Sequence, residues 1–235
     1  VFCEKCMLFQ LVEQPKAEEM FHQNYPFFTG LSKVMRTHFE KFANELFNEL
    51  KVNTGAKVFE IGCNDGTFLE SIHSLGLTGI GIDASLNVVE IARQKNLKVL
   101  NGFFGLRKAD EILEEFGSFD AVVAANVICH IPDLVDLGMG VERILSEDGI
   151  FIFEEPYVGS MIEKTSYDQI YDEHVYMFSA LSVQKIFGKC GLKLYDAQLT
   201  ETHGGSMRYY LSKKDKKLSE NLSQILVNEM AMKLD

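Results

Sequence analysis

The chain has 235 residues, enough for one sizeable α/β domain with added segments. Hydrophobic residues make up 46% and charged residues 24%, the balance of a soluble globular protein, and no apolar run suits a membrane helix or a signal peptide. A formal net charge of −11 argues against a general nucleic-acid binder, so an anionic substrate would need a local basic pocket.

The N-terminus opens with Cys3-Glu4-Lys5-Cys6, the spacing of half a tetrahedral zinc site. The remaining cysteines, Cys63, Cys129 and Cys190, fall on separate elements, so the pair reads as a truncated zinc knuckle, empty as it stands. Five scattered cysteines argue against a disulfide framework and for a reducing, cytoplasmic location. The chain starts at Val1 and ends in a polar helix-like run, so both ends are expected to have been cut from a longer protein. Met7–Val12 reads as a short strand. Gln23–Gly30 is an aromatic loop punctuated by Pro26 and Gly30, either a packing lid or a flap over a substrate that Tyr25 would touch. Apolar residues recur at helical spacing from Ser32 to Leu50. Lys33 and Arg36 near its start are either a solvated face or a phosphate contact.

Strands and helices then alternate. Strands are predicted at Lys57–Ile61, Thr78–Asp83, Leu97–Gly102, Phe119–Ala125 and Gly149–Glu154. Helices are predicted at Gly66–Leu75, Leu86–Lys95, Arg107–Phe116 and Asp133–Leu145. That rhythm implies a doubly wound parallel sheet with right-handed crossovers. A polar, aromatic stretch follows Glu155-Pro156 and lasts to Phe178. A helix at Ser182–Cys190 and two closing strands, Leu192–Gln198 and Ser206–Ser212, complete the domain. The expected organisation is an N-terminal segment (1–30), a central domain (31–212) and a helical tail (213–235) leading towards a further domain.

Lys57–Phe68 reads as a buried strand, a glycine turn and the start of a helix. Gly62 and Gly66 let the backbone approach a ligand closely. Asp83, about 20 residues on, can accept two ribose hydroxyls or cap the next helix. The turn is Glu60-x-Gly62-x-Asn64-x-Gly66, which is not the GxGxxG of dinucleotide binders. It resembles the acidic glycine-rich motif of Rossmann-like S-adenosylmethionine (SAM) methyltransferases, with Asn64 in place of the middle glycine. The five parallel strands and terminal hairpin resemble the seven-stranded sheet of the same class. The resemblance implies SAM as cofactor, with the glycines admitting its methionine part and Glu60 organising that region. It also implies adenine near Phe103 or Phe104, and the methionine part near Asn126.

Tyr167–Ser179 concentrates tyrosines, acids and a histidine beyond the fifth strand. His174 has the ordinary pKa of a general base near neutrality, about 6.5. Glu173 or Asp172 could orient it as a carboxylate does in a triad. Tyr171 could hydrogen-bond a substrate carbonyl, and His130 is a second candidate. A polar loop with a satisfied histidine is the bland alternative. Thr202–Arg208 is either a hairpin turn or a wall of the substrate pocket bearing His203 and Arg208.

The CxxC, the Tyr25–Phe28 loop, the Glu60–Gly66 turn, Tyr171-Asp172-Glu173-His174 and Thr202–Arg208 together resemble the nucleotide-deoxysugar C-methyltransferases. That resemblance implies methyl transfer to the carbon beside the ketone of a nucleotide-linked 4-keto sugar. His174 would remove the proton, Tyr171 and Glu173 would support it, and His130 would line the site. It also implies an N-terminal zinc domain and a further C-terminal domain. A SAM-dependent O-methyltransferase acting on a surface-polysaccharide sugar, a non-catalytic SAM-binding module and an NAD oxidoreductase remain as other readings.

Overall fold

A computed structural model describes residues 1–49 and 55–235. Its strands are β1 (Phe2–Cys3), β2 (Leu8–Gln10), β3 (Lys57–Ile61), β4 (Thr78–Asp83), β5 (Lys98–Asn101), β6 (Phe119–Ala125), β7 (Leu145–Pro156), β8 (Tyr176–Met177), β9 (Lys193–Thr200) and β10 (Ser206–Ser212). Its α-helices are α1 (Ala17–Met20), α2 (Lys33–Glu49), α3 (Thr67–Ser74), α4 (Leu86–Gln94), α5 (Leu106–Phe116), α6 (Leu134–Ile144), α7 (Val158–Lys164), α8 (Ala180–Gly188) and α9 (Glu220–Ala231). Leu50, the expected end of the α2 helix, lies outside the described residues.

The central strands are apolar at successive positions because both of their faces are covered. Val58, Ala121, Val123, Ile150 and Ile152 pack under Phe39, Phe42 and Leu46 of α2 and Phe68 and Ile72 of α3. Their neighbours Phe59, Val122, Ala124, Phe151 and Phe153 point the other way, into a core shared with α5, α6, α8 and α9. Phe153 is central there, with ring centroids 4.8 Å from Tyr209, 5.2 Å from Phe151 and 5.3 Å from Phe187.

The main sheet has seven strands in the order β5-β4-β3-β6-β7-β10-β9. The first five are parallel, and β10 runs antiparallel to both β7 and β9. This is the α/β layout expected from the sequence. The chain winds outward from β3 to β5 and then crosses to β6. The crevice for a ligand therefore opens at the carboxyl ends of β3 and β6, where the strand order reverses.

Three features escaped the sequence reading. Helix α7 lies inside the stretch read as irregular; at seven residues it is too short to show a period. Strand β8, two residues long, joins β1 and β2 in a separate antiparallel sheet that ties the N-terminus to the post-β7 region. Residues 213–235, expected as a helical tail leading towards a further domain, do carry a helix, α9; what escaped is that it packs back on this domain. Ser219 caps that helix by accepting from Leu222 N, Leu222 and Ile225 enter the main core, and the Glu229 carboxylate accepts from Ala180 N and Leu181 N at the start of α8.

Among the described residues no helix is long and apolar enough to cross a membrane.

Candidate active site

The turn after β3 needs left-handed backbone at three positions, with φ of +70° at Gly62, +48° at Asn64 and +78° at Gly66. A Cβ on Gly62 would lie 2.3 Å from Val127 Cγ2, so only glycine fits against the loop after β6. A Cβ on Gly66 would meet Leu97 Cδ1 at the same distance. Gly62, Asn64, Asp83 and Asn126 reach a cavity of about 630 Å³, with Phe103 and Phe104 on its wall. Phe104 is buried against Phe59, whereas Phe103 keeps an exposed ring face.

Asp83 accepts from Asn64 N at 2.9 Å and from Ser85 N at 2.8 Å, one bond to each carboxylate oxygen. Each oxygen keeps a second acceptor site, as a ribose diol requires. Burial pushes the Asp83 carboxyl above its ordinary range, against the pull of those two N–H groups. Ser85, not Asp83, occupies the N-cap position of α4. Glu60 is not on the cavity wall. It is buried beneath the turn, one of its oxygens has no partner, and burial beside Asp83 and Asp65 drives its pKa well up. Gly66 likewise serves the start of α3 and does not line the cavity.

On the His130 side of the cavity the rings form a chain. Centroid distances are 5.5 Å for Phe21–Tyr25, 5.4 Å for Phe21–His130, 5.3 Å for His130–His174 and 4.1 Å for His174–Tyr171. Phe21, Tyr25, His130 and His203 line the cavity; Tyr171, Glu173 and His174 do not. The expected catalytic histidine is therefore one ring behind the wall. His130 is clamped between two carbonyls, Glu173 O at 2.5 Å and Asn126 O at 3.1 Å. His174 Nδ1 lies 2.9 Å from Gln169 O, and its Nε2 lies 2.8 Å from the Tyr171 hydroxyl. The carbonyl makes Nδ1 the protonated nitrogen, leaving Nε2 to accept from Tyr171.

Two expectations are corrected here. The His174 ring is oriented by the Gln169 carbonyl; among the described residues no carboxylate bonds to it, and Glu173 engages His130 through its main chain instead. The His174 pKa is not near neutrality: burial, with His130 and His203 nearby, lowers it to about 4. Burial with the nearby Cys129 and Glu173 pushes Tyr171 up to about 12.

Arg208, expected to meet substrate, is instead a core ion-pair residue. Its Cα is the register partner of Glu154 across β10 and β7, and its Nη2 lies 2.8 Å from Glu154 Oε2. It also pairs with Glu45 and stacks 3.8 Å from the Phe42 ring centroid. His38 Nε2 lies 3.0 Å from Glu154 Oε1, and Thr202 Oγ1 donates to the same oxygen at 2.7 Å; against burial, the His38 contact first, then the Arg208 charge and the Thr202 bond, hold the Glu154 pKa at about 2. Arg36 donates to Gly30 O and does not line the cavity. His203 is on the wall, with φ of +49°. Cys3 and Cys6 flank the β1–β2 turn, and among the described residues they join no cluster of three possible ligands. Cys129, His130 and His174 do form such a cluster, but hydrogen bonds already occupy the ring nitrogens of both histidines.

Sequence reasoning missed Phe21. Its signal was the aromatic run of which it is the first member, four residues before Tyr25. It also missed Asn87, whose side chain pairs both ways with the main chain of Tyr25. No sequence signal marked Asn87.

A seven-stranded sheet in this order, with a glycine turn after β3 and an acid ending β4 beside one cavity, defines a Rossmann-like, SAM-dependent methyltransferase domain. The chain belongs to the methyltransferase-domain family, whose profile matches residues 33–197. The C-methyltransferase NovU of Streptomyces niveus is 27% identical over 207 residues, covering 88% of this chain and 49% of that protein. A ubiquinone biosynthesis O-methyltransferase of Xanthomonas oryzae pv. oryzae is 30% identical over 97 residues, covering 40% of this chain and 41% of that protein. The chain thus spans about half the length or less of these relatives. Among solved structures, magnesium protoporphyrin IX methyltransferase of Synechocystis PCC 6803 with bound S-adenosylhomocysteine superposes with a TM-score of 0.58 at 16% identity, covering 78% of this chain and 88% of that one. The PH0226 protein of Pyrococcus horikoshii OT3 gives 0.61 at 18%, covering 78% and 92%. At such identities the likeness speaks for the fold alone.

The cavity suits a sulfonium cofactor. Among the described residues its wall carries the acids Glu18, Asp83, Asp133 and Asp136 against one lysine, Lys16. The Oδ1 of Asn126, a wall residue, is buried without a partner.

Proposed function

We propose that this domain transfers a methyl group from SAM to the carbon beside a ketone, on a small nucleotide-linked deoxysugar. The observation carrying this reading is the Tyr171–His174 pair, a neutral imidazole whose unprotonated Nε2 accepts from a phenol, next to a cavity that can hold SAM. A relative matched over 88% of this chain is named a C-methyltransferase, which supports the same choice.

In this reading Asp83 holds the ribose hydroxyls, Phe103 covers the adenine, and Gly62, Asn64 and Asn126 border the methionine part. Bound SAM supplies an electrophilic methyl group. The chain's own residues must make the acceptor carbon nucleophilic. Neither residue lines the cavity, so the acceptor would extend from it past His130 to the half-exposed Tyr171; the Tyr171 oxygen would take the proton from that carbon while its own proton passes to His174 Nε2, so one proton enters and the pair holds it. Charge left on the acceptor oxygen requires a donor close by. In this reading His203, on the cavity wall, is that donor, because carbonyls already occupy both ring nitrogens of His130. The aromatic wall keeps water from the reactive carbon and fixes its orientation, which supplies much of the rate.

The test uses a 4-keto nucleotide sugar deuterated beside the ketone. Carbon methylation requires that deuterium to leave; methylation at oxygen retains it. Retention in the methylated product would favour the O-methyltransferase reading. Binding of S-adenosylhomocysteine without turnover in the full-length protein would favour a binding module.

A further inference from the structure

Asn64 occupies a left-handed position, φ +48°, where glycine is the least costly residue. The residue is 9% exposed, and both polar atoms of its side chain are hydrogen-bonded. Oδ1 accepts from Thr29 N at 2.9 Å, and Nδ2 donates to Phe27 O at 3.1 Å. Its own main-chain N–H donates to Asp83 Oδ2 at 2.9 Å. One residue therefore bonds the carboxylate on the donor side and the segment that roofs the cavity through Tyr25, Phe27 and Thr29. Beside it, Asp65 Oδ2 accepts from Gly30 N at 2.9 Å, and a Cβ on Gly30 would lie 2.7 Å from that oxygen.

We propose that Asn64 is a positioning residue that couples the donor-binding turn to the segment Tyr25–Gly30. Holding the segment over the cavity and filling the donor half then become one event. The side chain reaches Thr29 and Phe27 from its left-handed backbone, and the same backbone aims its N–H at Asp83. A ligand that orders the turn orders the latch, and by linkage the latched segment strengthens ligand binding by the same factor. This requires a donor in the cavity and is independent of the acceptor's identity.

The test is amide hydrogen exchange at Thr29 and Gly30 in the full chain, with and without S-adenosylhomocysteine, on wild type, Asn64→Gly and Asn64→Asp. Glycine keeps the backbone geometry and removes both side-chain bonds. Exchange at Thr29 should quicken about tenfold in Asn64→Gly, as expected for loss of one buried and one partly buried bond. S-adenosylhomocysteine should slow exchange at Thr29 and Gly30 in wild type and fail to do so in Asn64→Gly. Amides of β3 and β4 should be equally protected in both, showing that the fold is intact. Asn64→Asp keeps the acceptor for Thr29 N, loses the donor to Phe27 O and should fall between them. Unchanged exchange at Thr29 in Asn64→Gly overturns the proposal. So does a wild type that binds S-adenosylhomocysteine by calorimetry without any change in the segment.

Discussion

The Tyr171 hydroxyl and His174 Nε2 lie 2.8 Å apart, and the turn that brings them together is closed by His174 N donating to Tyr171 O at 2.9 Å. The pair is thus locally built, and the Gln169 carbonyl fixes the imidazole tautomer from the other side. Removing the phenolic oxygen leaves the histidine in place but without its proton-relay partner. Tyr171→Phe should lower kcat by about 10²–10⁴-fold, the range for losing a general acid–base group. S-adenosylhomocysteine affinity by calorimetry should stay within about twofold, because neither residue lines the cavity. His174→Ala should behave likewise; unchanged turnover in either variant would remove the pair from the mechanism.

Arg208 and Glu154 are partners in register on adjacent strands, and their side chains are 4% and 0% exposed. Arg208→Met should destabilise the fold by about 3–5 kcal/mol, since Glu154 would stay buried without its main cation. Adding Glu154→Gln should recover part of that loss. Urea unfolding of the two variants measures both effects. A fold left at wild-type stability by Arg208→Met would show that the buried pair is not structural.

Gly62→Ala should weaken S-adenosylhomocysteine binding and lower the melting temperature, because the new methyl meets Val127 at 2.3 Å and alanine disfavours φ of +70°. Val127→Ala in the same chain should restore part of the binding by opening the space. A double variant no better than Gly62→Ala would assign the whole loss to backbone strain.

The pH response has two opposing parts. His174 is lowered from 6.5 to about 4, so between those values the unfolded chain holds more protons and stability rises with pH. Burial raises the Glu155 carboxyl from 4.5 to about 7, so in that window the folded chain holds more protons and stability falls as pH rises. The two contributions oppose each other from about pH 4.5 to 6.5. Glu155→Gln keeps an oxygen for Val127 N and Ile128 N and removes the titration. Urea midpoints at pH 5, 6 and 7 should rise more steeply in this variant than in wild type. Parallel curves would mean that Glu155 ionises normally.

Much of the fold was legible because its signals are local. Doubly covered strands show as apolar runs, and helices show a period set by residues three and four apart. The glycine turn after β3 and the acid ending β4 were equally readable, since each answers to its own backbone. Tyr171 and His174 belong with them, three residues apart on one turn. Arg208 went the other way. A cation after two glycines looked like a pocket wall, but the register of β10 on β7 set it against Glu154, 54 residues away. His174 has the ordinary histidine pKa only while water surrounds it, and burial took that away. Phe21 reached His130, and Asn64 reached Thr29, only once the N-terminal segment had folded over the β3 turn. Neighbouring residues thus carry the information for strands, helices and turns. Which surfaces meet, and which charges lose their water, depends on how the sheet orders its strands and where the loops close, and no local pattern records that.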